Sequence, residues 1–282
     1  MSPGFSNTDL DLISTFKDYG AELIELAVVD PARISITSLN SALAEAGLER
    51  PVICGVFGPE RDLRGNPEQV KTSSDYITAL IELAVQLGSG LVCGPMYSHT
   101  GRTEAYTTAE REIQARQITT ALKPLCNMAE STGVTLAIEP LNRFETDCIN
   151  TLAQAADLIE QVDSPALRIL ADTFHMHIEE NNSAAAILKH GNLIAHVHAS
   201  ASHRGLPGQD QVDWRGVLRA LEQTGYTGDM VIESFSEDNQ VIARAVSAWR
   251  TLYDSPQQLA VEGLAFLRKN WNLIHDVRTA VI

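Results

Sequence analysis

Short apolar runs alternate with longer amphipathic segments along most of the chain, and this alternation restricts the possible folds more than any other feature. The apolar runs predict β-strands at 21–28, 52–58, 90–96, 134–140, 167–173, 194–200 and 229–235. The amphipathic segments predict helices at 9–19, 38–46, 67–87, 109–132, 150–162 and 214–224. Such alternation is typical of βαβ units that build a parallel sheet. With 282 residues, we expect a single α/β domain over 1–282, a (β/α)8 TIM barrel.

The predicted barrel has one strand too few at its beginning. A closed barrel of this type needs eight strands, and only seven apolar runs are found. Because only MSPGFSN precedes the first helical segment, we expect the first strand to be short or missing, unless a partner subunit covers the gap. After the last strand, residues 236–282 predict a C-terminal helical tail, with Trp249, Leu267 and Trp271 among the residues on its packing side.

The charge of the chain argues against two classes of partner. A formal net charge of −15 repels the phosphates of nucleic acids and the head groups of anionic lipids, so we expect neither as a partner. The N-terminus lacks a basic region followed by an apolar core, and no apolar stretch reaches the length of a membrane span. The four cysteines are scattered, which fits a reducing compartment. We therefore expect a cytoplasmic protein with a small-molecule substrate.

Four side chains suited to metal binding stand at the ends of predicted strands. They occur in LAIEP, ILADT, AHVHA and MVIES, and they are Glu139, Asp172, His198 and Glu233. The gaps between them are 33, 26 and 35 residues, close to the roughly 31-residue repeat of a TIM barrel. Because strand ends on one face of a barrel converge, we expect the four to meet. Two glutamates, an aspartate and a histidine form an oxygen-rich site for a divalent cation.

Two questions about this cluster stay open from the pattern alone. Each side chain could belong to an independent structural ion pair, but burying an unpaired carboxylate is unfavourable, which favours a shared metal site. His196 lies two residues before His198 on the same strand and faces the same side. The pattern therefore does not decide which histidine binds the metal.

Several segments resemble a known family. AIEPLNRFET, DTFHMHIEE, HVHAS followed by HRG, and VIESF are similar to the xylose isomerase-like TIM barrels, in particular the sugar isomerase/epimerase group that contains the D-tagatose and D-allulose 3-epimerases. The resemblance implies that the metal ligands are Glu139, Asp172, His198 and Glu233, which favours His198 over His196. It also implies Mn²⁺ as the ion, with Mg²⁺ or Co²⁺ as alternatives, no organic cofactor, and a homo-oligomer.

The resemblance further implies an activity and the residues that perform it. The positions that hold the hydroxyl and carbonyl groups of a sugar in this family correspond to Glu145, His175 and Arg204. Glu139 and Glu233 would also form the catalytic acid/base pair. We therefore expect a metal-dependent epimerase or isomerase that inverts the carbon next to the carbonyl of a ketose or related keto-sugar, at C3. One glutamate removes a proton, the metal stabilises the enediolate, and the other glutamate returns a proton to the opposite face.

Two departures from the family pattern leave other functions open. Where many relatives carry a glutamate three residues after the metal histidine, this chain has Ala201, and the aromatic residue that caps the sugar is replaced near Ser98, His99 and Thr100. A pocket without that cap admits a larger substrate. The segment GPMYSHTGR resembles a broad branch of sugar isomerase/epimerase-like proteins, some members of which cleave 3-oxo-glycosides with a small partner subunit. A metal-dependent lyase or C-deglycosidase subunit acting on 3-oxo-glycosides is therefore one alternative. A non-catalytic sugar-binding barrel is the other, and retention of both catalytic glutamates disfavours it.

Overall fold

The computed structural model describes residues 4–235 and 240–279, and its strands form one parallel sheet. The strands follow one another in sequence order as β1 (Glu25–Val28), β2 (Val52–Gly55), β3 (Leu91–Gly94), β4 (Thr135–Ile138), β5 (Leu167–Asp172), β6 (Ile194–His198) and β7 (Met230–Val231). Among the described residues β7 and β1 form no strand pair, so the barrel is nearly closed. The predicted TIM-barrel fold is confirmed. Residues 236–239 and 280–282 of the predicted tail lie outside the described residues.

Helices connect successive strands and cover the outside of the sheet. They are α1 (Asp11–Asp18), α2 (Ile36–Ala46), α3 (Pro67–Gln86), α4 (Thr108–Thr132), α5 (Leu152–Val162), α6 (Thr173–Glu179), α7 (Ser183–His190), α8 (Trp214–Gln223), α9 (Gln240–Ala245) and α10 (Pro256–Thr279). Short 3-10 turns lie at Asn7–Asp9, Pro31–Arg33 and Gly191–Leu193. Helices α6 and α7 are absent from the predictions because 7 and 8 residues are too few for a clear apolar period.

Side chains alternate between the two faces of each strand, and this alternation aims the site residues inward. In β4, Leu136 packs in the main hydrophobic core, whereas Ala137 belongs to a small apolar cluster inside the barrel. Two residues beyond Ala137, Glu139 therefore faces inward at the carboxyl end of the barrel. The same step of two places Asp172 inward at the end of β5 and His198 inward at the end of β6.

The residues before α1 take the place of the first barrel strand only in part. The backbone N–H of Phe5 donates a hydrogen bond to the carbonyl oxygen of Ala27 in β1 at 2.7 Å. Residues 4–6 are not in a strand, and β7 on the other side is only 2 residues long. A cleft of about 550 Å³ follows this seam, lined by residues of β1, β7 and α10. In the described part of the chain, the predicted reduction of the first strand therefore takes the form of a strand-like hydrogen bond from Phe5 beside an open seam.

Helix α10 packs along this seam. Arg268 of α10 donates a hydrogen bond to the carboxylate of Glu22 at 2.6 Å, and Leu267 is buried. The predicted packing role of Trp249 is wrong, since its side chain is 71% exposed. It lies in the loop between α9 and α10, where no helix turns it toward the core. No helix in the described part of the chain combines the length and the apolar character that a membrane span needs.

We predict that Gly94→Ala destabilises the barrel much more than Gly90→Ala. Gly94 has a φ of 123°, and a Cβ there would lie 2.8 Å from the backbone oxygen of Gly55. Strained backbone of this kind costs about 1–3 kcal/mol, and the clash with β2 adds to that cost. A Cβ on Gly90 would meet no atom within 4 Å. Urea unfolding measures both variants, and equal midpoints would contradict the prediction.

Candidate active site and metal centre

Four side chains from four strand ends meet at the carboxyl end of the barrel. They are Glu139, Asp172, His198 and Glu233, and one ligand atom from each lies within 4.8 Å of all the others. Glu139 follows β4, Asp172 and His198 are the last residues of β5 and β6, and Glu233 lies just beyond β7. Asp172 and His198 are almost fully buried, at 1% and 0% exposure. The strand ends that the sequence analysis singled out are therefore neighbours in space.

The ring of His198 presents one nitrogen to the three carboxylates. Its Nδ1 lies 3.5 Å from Glu233 Oε1, 3.7 Å from Glu139 Oε1 and 3.9 Å from Asp172 Oδ2. These distances exceed hydrogen-bond length, and Nδ1 has no hydrogen-bond partner among the residues described. A buried polar atom without a partner needs an explanation, and a cation between the four donors supplies one. One imidazole nitrogen and three carboxylates fit a divalent cation that prefers oxygen ligands.

The other nitrogen of His198 contacts a residue that the sequence analysis missed. His198 Nε2 lies 3.0 Å from Oε1 of Glu25 in β1, and His196 Nε2 lies 2.8 Å from Oε2 of the same carboxylate. His196 thus sits deeper in the barrel, away from the three carboxylates around Nδ1 of His198. The signal available in the sequence was an acidic residue inside the apolar run 21–28. In the structure this residue pairs with the interior residue Val52.

Arg204 joins two of the carboxylates and one of the predicted substrate-binding residues. Its Nη1 donates to Asp172 Oδ2 at 2.8 Å and to Glu233 Oε2 at 2.5 Å, and its Nη2 lies 3.1 Å from His175 Nε2. The guanidinium carbon lies 4.0 Å from the centre of the Phe174 ring. A buried guanidinium in this position compensates part of the negative charge of the cluster.

His175 and Glu145 are connected through Asn142. The backbone N–H of Asn142 donates to His175 Nδ1 at 3.0 Å, and its side-chain amide donates to Glu145 Oε1 at 2.8 Å. Nδ1 of His175 is therefore an acceptor, and its Nε2 lies 3.6 Å from Glu139 Oε1. Burial, reinforced by the charge of Arg204, lowers the pKa of His175 well below its ordinary value, which keeps the ring neutral.

The carboxylates of the cluster differ in their affinity for protons. Burial, together with the charges of Glu233 and Asp172, raises the pKa of Glu139 to about 8 against the opposing effect of His198. Burial also raises the pKa of Asp172 to about 6, although Arg204 opposes it. For Glu233 burial acts in the same direction, but Arg204 and His198 outweigh it and hold the pKa well below its ordinary value. Without a metal, Glu139 therefore keeps its proton to a higher pH than Glu233 does.

The loop after β3 is the segment in which the aromatic residue that caps the sugar in the family was expected to be replaced. This loop carries polar side chains. Ser98 is buried and accepts a hydrogen bond from Arg64 Nε at 3.0 Å, and His99 Nδ1 lies 3.0 Å from the backbone oxygen of Thr100. Tyr97, which was not predicted as a site residue, donates its hydroxyl hydrogen bond toward the backbone oxygen of Glu139 at 2.9 Å. This contact holds the backbone of a cluster residue in place.

Comparison with known proteins agrees with this fold. The sequence profile of the xylose isomerase-like TIM barrel family matches residues 13–270, and the chain belongs to this family. It is similar to the L-ribulose 3-epimerase of Mesorhizobium japonicum, with 32% identity over 90% of this chain and 86% of that protein. It is 29% identical to a ketose 3-epimerase of Arthrobacter globiformis, over 93% of this chain and 90% of the relative.

A solved structure gives the same result. The structure of an L-ribulose 3-epimerase superimposes with a TM-score of 0.90 and 30% identity, covering 98% of this chain and 93% of that one. The prediction that the protein is an enzyme of the sugar isomerase/epimerase group is confirmed by these relatives.

We predict that Asp172→Asn weakens the binding of Mn²⁺ while Asp163→Asn does not. The amide keeps the shape of Asp172 but removes a charged oxygen ligand, so the loss should exceed the roughly 10–100-fold effect of removing an outer-shell partner. Asp163 is exposed and ends α5 in the left-handed conformation, which asparagine also adopts. Isothermal titration of chelator-treated protein measures both affinities. Unchanged Mn²⁺ affinity in Asp172→Asn would rule out this metal site.

Proposed function

We propose that this protein is a metal-dependent ketose 3-epimerase in which Glu139 and Glu233 exchange protons at C3 of a free ketose. The observation that carries the proposal is the presence of both carboxylates in one cluster, with donor atoms within 4.8 Å of each other. Inverting a carbon beside a carbonyl needs one group that removes a proton and another that returns one to the opposite face. Similar proteins named ketose and L-ribulose 3-epimerases support the same reaction.

The proposed metal would be held by Nδ1 of His198 and the carboxylates of Glu139, Asp172 and Glu233. When bound, a divalent cation supplies Lewis acidity, which polarises the carbonyl of the substrate and stabilises the negative charge that develops as the C3 proton leaves. Mn²⁺ is our proposal for the ion, since one imidazole and three carboxylates suit it. The remaining steps belong to side chains of the protein.

Arg204, His175 and Glu145 are proposed to hold oxygen atoms of the sugar. Nε of Arg204 is buried and has no hydrogen-bond partner within the described part of the chain, so the guanidinium retains a donor for a substrate oxygen. Nε2 of His175, which lies 3.1 Å from Arg204 Nη2, would be a second contact for a sugar oxygen. The half-buried carboxylate of Glu145 is an acceptor for a hydroxyl group. Together they would orient C3 between the two glutamates.

The direction of the reaction decides which glutamate acts as the base and which as the acid. After one turnover the glutamate that acted as base carries a proton, and the one that acted as acid has lost its own. The pair must therefore exchange protons with water before it repeats the same turnover. The hydrogen delivered to C3 is thus derived from solvent, which makes the mechanism measurable by isotope exchange.

The first test is isotope exchange in D₂O, followed by NMR. We expect protein loaded with Mn²⁺, then cleared of free ion, to place deuterium at C3 of a free ketose and to form the C3 epimer, whereas chelator-treated protein does neither. Because Mn²⁺ broadens resonances, the sugars are separated from the protein before the spectra are recorded. A panel of ketoses and 3-oxo-glycosides supplies the substrates. Exchange or bond cleavage confined to the 3-oxo-glycosides would replace the proposal with the lyase alternative.

We further predict that Glu233→Gln abolishes epimerisation at C3 without unfolding the protein. The amide preserves the shape of the side chain but cannot act as a base, so the rate should fall by about 100-fold or more. Glu262→Gln is the matched control, because Glu262 is exposed on α10 and far from the cluster in the chain. Near-normal turnover by Glu233→Gln would exclude the two-glutamate mechanism. Circular dichroism checks that both variants are folded.

A further inference from the structure

We propose that Glu25 is a positioning residue, which holds His198 in the tautomer that leaves Nδ1 free to bind the metal. The inference rests on the proposed metal site. It concerns a residue on β1, the strand beside the open seam, and 173 residues separate it from His198. Glu25 does not belong to the cluster around Nδ1. Its contact with the His198 ring is at the opposite edge, at Nε2.

Glu25 supplies acceptors to two histidines at once. Its Oε1 lies 3.0 Å from His198 Nε2, and its Oε2 lies 2.8 Å from His196 Nε2. An ionised carboxylate only accepts hydrogen bonds, so both Nε2 atoms carry a proton. In a neutral His198 ring the proton is then on Nε2, and the lone pair of Nδ1 points toward the three carboxylates at 3.5–3.9 Å.

A carboxylate suits this position better than an amide because both of its oxygen atoms accept hydrogen bonds. Both imidazoles donate from Nε2, and the carboxylate offers them two acceptor atoms: Oε1 lies 3.0 Å from His198 Nε2, and Oε2 lies 2.8 Å from His196 Nε2 and 3.2 Å from His198 Nε2. An amide at the same position offers one acceptor and one donor group, so its N–H₂ faces the Nε2–H of one of the two rings, and that contact favours the tautomer with the proton on Nδ1. In His198 that proton would occupy the position of the metal. Replacing a residue that orients a metal-binding histidine in this way typically weakens metal binding by about 10–100-fold.

A second cation between Glu25, Cys93, His196 and His198 is the competing explanation, because their ligand atoms also lie within 4.8 Å of one another. The distances favour hydrogen bonds. A cation bound to an oxygen and a nitrogen at about 2.0–2.2 Å from each usually separates them by roughly 3 Å or more. Glu25 and His196 are in direct contact at 2.8 Å, a normal hydrogen-bond length.

Mn²⁺ titration of the full chain, without substrate, tests the proposal with a matched pair of variants. Glu25→Gln should raise the dissociation constant of Mn²⁺ by about 10–100-fold. His196→Gln keeps an N–H donor near the position of Nε2 and leaves Glu25 available to His198, so its dissociation constant should change by less than about threefold. Equal losses in the two variants, or no loss in Glu25→Gln, would overturn the proposal, because either result reduces Glu25 to a packing role.

A second measurement uses the wild-type protein and does not depend on the folding of a variant. In Mg²⁺-loaded protein, long-range ¹H–¹⁵N correlation should show His198 with a proton on Nε2 and none on Nδ1. A proton on Nδ1 would contradict the proposal. Binding of two Mn²⁺ ions per chain, with one lost in Cys93→Ala, would replace it with a second metal site.

The two proposals can fail separately. Metal affinity and the His198 tautomer are measured without sugar, whereas the proposed epimerase activity is measured by exchange at C3. Loss of Mn²⁺ affinity in Glu25→Gln together with an inactive wild-type protein would support the role of Glu25 and refute the activity. A wild-type protein that binds neither Mn²⁺ nor Mg²⁺ would refute both.

Discussion

The need to balance buried negative charge at the carboxyl end of the barrel controls the arrangement of the whole site. Glu139, Asp172 and Glu233 bring three carboxylates around one nitrogen of His198. Buried carboxylates are stable only when they are paired, hydrogen-bonded or bound to a metal. Arg204 pairs directly with Asp172 and Glu233. Of the three carboxylates, Glu139 therefore has the pKa that is raised furthest above its ordinary value. A divalent cation would complete the balance, and the neighbouring residues are arranged around that requirement.

Arg204 serves two carboxylates because its backbone and its side chain are both constrained. Its φ of 60° is uncommon for a residue other than glycine, and such a conformation typically costs about 1–3 kcal/mol. The ring of Phe174 packs against the guanidinium, and the hydroxyl of Ser234 donates a hydrogen bond to the backbone oxygen of Arg204. These contacts hold the loop after β6 against β7, so Glu233 beyond the two-residue strand β7 stays within reach of the other ligands.

The open seam of the barrel and the site are connected through the interior. Within the described residues β1 has a strand partner on one side only, namely β2, and residues 4–6 add a single hydrogen bond on the other side. Glu25 nevertheless ties β1 to β6 across the barrel, through hydrogen bonds to His196 and His198. A polar contact inside the barrel thus links the strand beside the seam to a proposed metal ligand.

Much of the fold and part of the site could be predicted from the sequence, because periodicity is a local property. The alternation of strands and helices predicted the barrel, and the step of two from Ala137 to Glu139 places that carboxylate inward. The spacing of the strand ends indicated that the proposed ligands would meet. Pattern alone left His196 and His198 equivalent, since both face inward from one strand. The structure separates them, because which ring nitrogen faces which carboxylate depends on contacts such as that of Glu25, 173 residues from His198. Distances between remote elements, and the charge balance that results, are set only when the chain is packed.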